Sequence, residues 1–133
     1  MRAFALDAAL RSQISAEARA AYPRECCGLI EGVDEGGVLR ATLLYPAVNL
    51  AAAPDRFEID PVLQFRLMRE RRNIVGCYHS HPDGAAEPSP RDAEYAFAGE
   101  FVWLIAGSAG RLAAYAWDGA RFMPVPMPFE GSS

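Results

Sequence analysis

Leu10, Ile14, Ala18 and Ala21 recur at intervals of three and four, which sets them on one face of a helix. Asp7 is placed to cap that helix and Pro23 to end it, so it is expected to run to about Tyr22. Glu25 to Ile30 then reads as a buried strand, Gly32 to Gly37 as a hairpin turn and Val38 to Tyr45 as the return strand. A loop rich in Ala and Pro follows as far as Arg56. Asp60-Pro61 has the cap-then-proline form of a helix start. Val62, Leu63, Leu67 and Met68 are expected to face inward from that helix, and Arg66, Arg69, Arg71 and Arg72 to form a solvated face. Asn73 to Tyr78 reads as a buried strand leading into His79-Ser80-His81. After a loop from Pro82 to Pro88, Ser89-Pro90 starts a short helix to about Ala98. Phe101–Ala106, Arg111–Trp117 and Arg121–Val125 read as strands with Gly at the turns, and Pro126 to Ser133 as a frayed tail. The sum is an α/β sandwich: one domain over residues 1–125, with a mixed, mostly antiparallel sheet flanked by helices.

At 133 residues the chain can bury a core without disulfides or a structural metal. Its three cysteines, Cys26, Cys27 and Cys77, make a poor disulfide framework; Cys26 and Cys77 read as packing residues, and Cys27 as a residue at the site's edge. The formal charge of -4 argues against a nucleic-acid surface. Every basic residue is Arg. No stretch approaches ~18 unbroken apolar residues and the first residues lack a signal-like run, so no membrane partner and a cytoplasmic location are expected.

The two histidines, His79 and His81, stand two apart at a strand end, so their imidazoles point the same way. Imidazole is a favoured zinc ligand. Ser89 and Asp92 are spaced as a capping box, which alone is only a helix start. The loop after His81 could nevertheless fold that helix end back, making Asp92 a third ligand and leaving a fourth position for water. A metal-activated water needs a base. Glu25, at the head of an apolar strand, is the best candidate; Glu31 and Glu58 are rivals that composition cannot separate from it.

Taken together, Glu25 in Pro23-Arg24-Glu25-Cys26-Cys27-Gly28-Leu29, His79-Ser80-His81-Pro82, seven residues from Pro82 to Pro88, and Ser89-Pro90-Arg91-Asp92 resemble the signature of the JAMM (MPN+) metallopeptidases. Asn49, Phe57 and Asp60-Pro61 also look like that family's central loop and helix start. The resemblance implies a cytidine-deaminase-like MPN/JAB sandwich. It implies one zinc ion per chain on His79, His81 and Asp92, with Glu25 handling the water's proton and Ser89 donating to the oxyanion. It further implies hydrolysis of a peptide-like bond at the C-terminal Gly-Gly of a ubiquitin-like sulfur-carrier protein. The alternative is a catalytically silent binding module of the same fold. The oligomeric state is not readable from the sequence.

Overall fold

The computed structural model describes residues 1–94, 99 and 101–128. Strands are β1 (Ala3–Ala5), β2 (Cys27–Glu35), β3 (Val38–Ala47), β4 (Ile74–Ser80), β5 (Val102–Ala106), β6 (Leu112–Trp117) and β7 (Phe122–Val125). Helices are α1 (Ala8–Ala21), α2 (Pro61–Arg69) and α3 (Pro90–Glu94). The strands form one sheet in the order β1-β3-β2-β4-β5-β6-β7. The pairs β1–β3 and β4–β5 are parallel and the rest antiparallel, which gives the mixed, mostly antiparallel α/β sheet expected.

Period-two alternation divides the core into two layers. Ile30, Tyr78 and Leu104 join Phe4, Leu6 and Ile14 on the α1 side. Their immediate neighbours Leu29, Cys77 and Trp103 join Leu67 of α2 on the other. Each large side chain buried in this way contributes about 1.5–3 kcal/mol. The Asp7 carboxylate accepts from the Leu10 N–H at 2.9 Å, which starts α1. The Tyr78 hydroxyl donates to Glu17 at 2.6 Å and ties α1 to the sheet. Gly28 leaves room for that ring, since a Cβ there would collide with Tyr78 and with the Tyr45 carbonyl. The Asp60 carboxylate accepts from the Val62 N–H at 3.0 Å, so α2 begins where the cap-and-proline pair places it.

Several expectations are corrected. β2 continues through Gly32 to Glu35, and only Gly36-Gly37, both at positive φ, make the turn. β2 starts at Cys27, so Glu25 precedes the strand. The short β1 was not foreseen; three residues carry too little pattern, and it is held by pairing with β3. Of the α2 residues expected inward, Leu67 is buried and Leu63 half-buried, but Val62 and Met68 are 69% and 71% exposed. A nine-residue helix on a twisted sheet seats a narrower stripe than the full apolar set. Arg72 is not merely solvated, because its guanidinium makes two 2.8 Å bonds to Glu31. Pro126 accepts a hydrogen bond from the Phe4 N–H and Met127 packs on the core, so the start of the expected tail is held. The expected helical residues 95–98 lie outside the described residues, as do 129–133 of the tail. Among the described residues no helix is long and apolar enough to cross a membrane.

Candidate active site

Pairing of β2 with β4 sets Cys27 opposite His79, which brings the residue before β2 alongside the strand end that carries the histidines. Ser80, between the two histidines, fixes the approach. Its N–H donates to the Cys26 carbonyl at 3.1 Å, and its Oγ accepts from the Cys26 N–H at 2.9 Å. Glu25 is therefore tethered through its neighbour to the residue between the imidazoles. Glu25 is 6% exposed and His79 1% exposed, so the chemistry sits at the margin of the core.

The imidazoles converge as the strand alternation requires, with their Nε2 atoms 3.0 Å apart. His81 Nδ1 lies 3.1 Å from the Ala85 carbonyl; donating its proton there leaves Nε2 with a lone pair for a ligand. The loop that carries Ala85 is itself anchored. Ser108 N–H donates to Gly84 at 2.8 Å and the Tyr115 hydroxyl to Ala86 at 2.8 Å. Gly107 lies so close beneath that a Cβ would stand 2.5 Å from the Ala86 nitrogen.

The helix end does fold back. Asp92 is buried, with Oδ1 3.2 Å from His79 Nε2 and Oδ2 3.5 Å from His81 Nε2. The capping box is present as well: Ser89 N–H donates to Asp92 Oδ2 at 2.8 Å and Asp92 N–H to Ser89 Oγ at 3.2 Å. Capping and site geometry are satisfied by the same two side chains. Ser89 Oγ accepts that bond and keeps its own proton to donate. Among the described residues, donor atoms of Glu25, His79 and His81 lie within 4.8 Å of one another, a group able to hold a metal ion.

The environments push the two carboxylates apart. Burial raises Glu25 to about 7, against opposition from the His81 charge. Burial acts to raise Asp92 too, but hydrogen bonds from His79 and His81 outweigh it and hold Asp92 below the usual carboxylate range. Burial lowers His79, whose Asp92 contact opposes the shift. His81 moves up, because its hydrogen bonds to Asp92 and the Ala85 carbonyl outweigh its burial.

Asn49 holds the roof. Its Nδ2 donates to the carbonyls of Glu25 and Arg56 at 3.0 and 2.9 Å, and its Oδ1 accepts from the N–H groups of Ala51 and Glu58 at 2.9 and 3.0 Å. Three of the four bonds of one amide thus close the loop over the site, and the fourth ties it to the backbone of Glu25. The loop carries Phe57, whose ring stacks on His79 at 4.2 Å between centroids and 17° between planes. Asn49→Ala is expected to destabilise the fold by about 1–3 kcal/mol, because several polar groups lose their partner. An unchanged urea midpoint would show that the loop is held by other contacts.

Of the rival bases, Glu31 is taken up by Arg72 and by the Tyr45 hydroxyl at 2.6 Å, and Glu58 lies exposed on the roof loop. Cys27, expected at the site's edge, is 1% exposed, and burial pushes its thiol up to about 12. Two of the clefts that reach Glu25 lie on the Arg91 side. One, of about 390 Å³, passes Asp55, Glu58 and Glu94. The other, of about 640 Å³, is walled by Pro23, Pro54, Pro82 and Pro90 and reaches His81 and Ser89. Asp55 and Arg91 line both clefts and face each other with 3.6 Å between Oδ1 and Nη1. Sequence reasoning missed this pair, since no spacing relates an Ala- and Pro-rich loop to the first turn of α3.

The mixed, mostly antiparallel sheet with its helices is the α/β architecture of a JAB domain. The chain belongs to the family of prokaryotic homologs of the JAB domain, which it matches over residues 7–121. It is similar to a desampylase of Haloferax volcanii, 32% identical over 113 residues that cover 81% of this chain and 80% of that protein. It is also similar to a desampylase of Pyrococcus furiosus, 30% identical over 95 residues that cover 68% and 65% of the two chains. Tail tip assembly protein K of Escherichia phage N15 is 33% identical over 93 residues, 69% of this chain but 36% of the phage protein. Among solved structures, a Desulfitobacterium hafniense protein superposes with a TM-score of 0.80 at 26% identity, covering 93% of this chain and 90% of that one.

Proposed function

We propose that this chain is a zinc-dependent isopeptidase that hydrolyses a peptide-like bond at the C-terminal Gly-Gly of a ubiquitin-like sulfur-carrier protein. The observation that carries the reading is the convergence of His79, His81, Asp92 and Glu25 from three separate segments. Four tetrahedral ligands at ~2.0–2.1 Å from one zinc ion lie roughly 3.4 Å apart. The 3.0 Å between the two Nε2 atoms and the 3.2 Å from His79 Nε2 to Asp92 Oδ1 are near that spacing, while the other Asp92 oxygen lies 3.5 Å from His81 Nε2. The two desampylases support a ubiquitin-like partner.

His79, His81 and Asp92 would hold the ion, which when bound supplies Lewis-acid activation of water and of the scissile carbonyl. Glu25 is the base. Among the described residues no hydrogen bond ties down its carboxylate, and it opens on both clefts. It takes the proton of the attacking water and hands it to the leaving amine as the C–N bond breaks. Ser89 donates its free hydroxyl proton to the oxygen that gains charge, a contact of the kind typically worth ~10²–10³ in rate. The product pair is a carrier ending in a Gly carboxylate and a free amine.

The test is metal analysis together with intact-mass spectrometry of a Gly-Gly-tailed carrier adduct. Near-stoichiometric zinc and loss of the adduct mass are expected. Protein that carries no zinc, and cleaves nothing once zinc is supplied, would end the reading.

A further inference from the structure

Phe57 sits in the roof loop, and the chain is held on either side of it. The Asn49 amide binds the Arg56 carbonyl at 2.9 Å and the Glu58 N–H at 3.0 Å. The Leu50 N–H donates to the Glu58 carbonyl at 2.9 Å, and a β-bridge joins Asn49 to Ile59 just beyond. The backbone of Phe57 is thus fixed through both neighbours. Its half-buried ring lies nearly parallel to the His79 imidazole, with 4.2 Å between centroids. Asn49 also holds the Glu25 carbonyl at 3.0 Å. One amide therefore places both the proposed base and the ring that covers a proposed ligand.

The last torsion of a histidine side chain is broad, and rotation about it swings Nε2 away from its target. In His81 that rotation is opposed by the contact of Nδ1 with the Ala85 carbonyl. In His79 a flat ring lies against the imidazole, and turning the imidazole would drive its edge into that ring. The stack has an electronic side as well. An aromatic face is negative and attracts positively polarised groups. An imidazole that has given its lone pair to a dication is such a group, so the stack is stronger with the ion bound than without it.

We propose, resting on the zinc reading above, that Phe57 is a positioning residue whose ring holds the His79 imidazole in its metal-binding orientation and slows escape of the ion. Phe57 supplies no electron pair and moves no proton; it acts through His79.

The experiment loads the full chain with zinc and follows transfer of the ion to an excess of chromophoric chelator. Phe57→Leu and Phe57→Met keep apolar bulk and remove the ring, whereas Phe57→Tyr keeps the ring. Each ring-less variant is expected to release zinc roughly 2- to 10-fold faster than the native protein, the range of one aromatic pair expressed as a rate. Phe57→Tyr is expected to release it at close to the native rate. A role in packing alone predicts another pattern, in which Leu or Met serves as well as Phe. Native release rates from both ring-less variants would therefore overturn the proposal, as would Phe57→Tyr releasing zinc as fast as they do. Native protein that takes up no zinc would instead end the zinc reading, and this inference with it.

Discussion

Glu25→Gln is expected to lower turnover by about 10²–10⁴-fold while bound zinc stays stoichiometric, since the amide cannot relay a proton and the three proposed ligands remain. The same change is expected to stabilise the metal-free protein. The sign follows from the direction of the shift. Folding raises Glu25 from an ordinary 4.5 to about 7. Below pH 4.5 both states carry the proton and no penalty arises. Between 4.5 and 7 the unfolded chain releases its proton first, so stability falls as pH rises. Above 7 the full cost is present, at most about 3 kcal/mol. Urea unfolding with chelator present should therefore show a wild-type protein less stable at pH 8 than at pH 5, and a Glu25→Gln variant in which that fall is absent. Retained turnover would move the base elsewhere, and an unchanged pH profile would mean that the carboxylate is solvated.

Asp92→Asn is expected to weaken zinc binding more than about 100-fold, beyond what loss of an outer-shell partner costs. This substitution separates the two roles of the residue. Asn still accepts the Ser89 N–H bond, so the capping box survives and the metal-free fold should change by under about 1 kcal/mol. The lost charge leaves two imidazoles without their anionic partner. Competition against a chromophoric chelator reads the affinity, and urea unfolding reads the cap. Tight stoichiometric zinc in Asp92→Asn would reduce Asp92 to a capping residue.

Much of the fold was legible because its signals are local. Asp7 and Asp60 cap the helices they were expected to cap, and the apolar runs of β2, β4 and β5 mark strands buried on both faces. The convergence of Glu25, His79, His81 and Asp92 was legible through motif spacing, which recorded a tertiary arrangement that no single segment betrays. What escaped was set by contact alone. β1 exists because β3 offers it an edge, and the outward Val62 and Met68 follow from how α2 seats on the sheet. The four bonds of Asn49 and the placing of Arg91 against Asp55 depend on loop paths that no periodicity records.

The proposed holders of the ion, His79, His81 and Asp92, ride on one continuous stretch of chain, whereas Glu25 arrives from the far side of two strands and a helix. On the proposed assignment, capture of the ion and use of it are written in separate parts of the gene. Selection can erase the second without disturbing the first, and descendants that keep the ion but do no chemistry lie a single codon away.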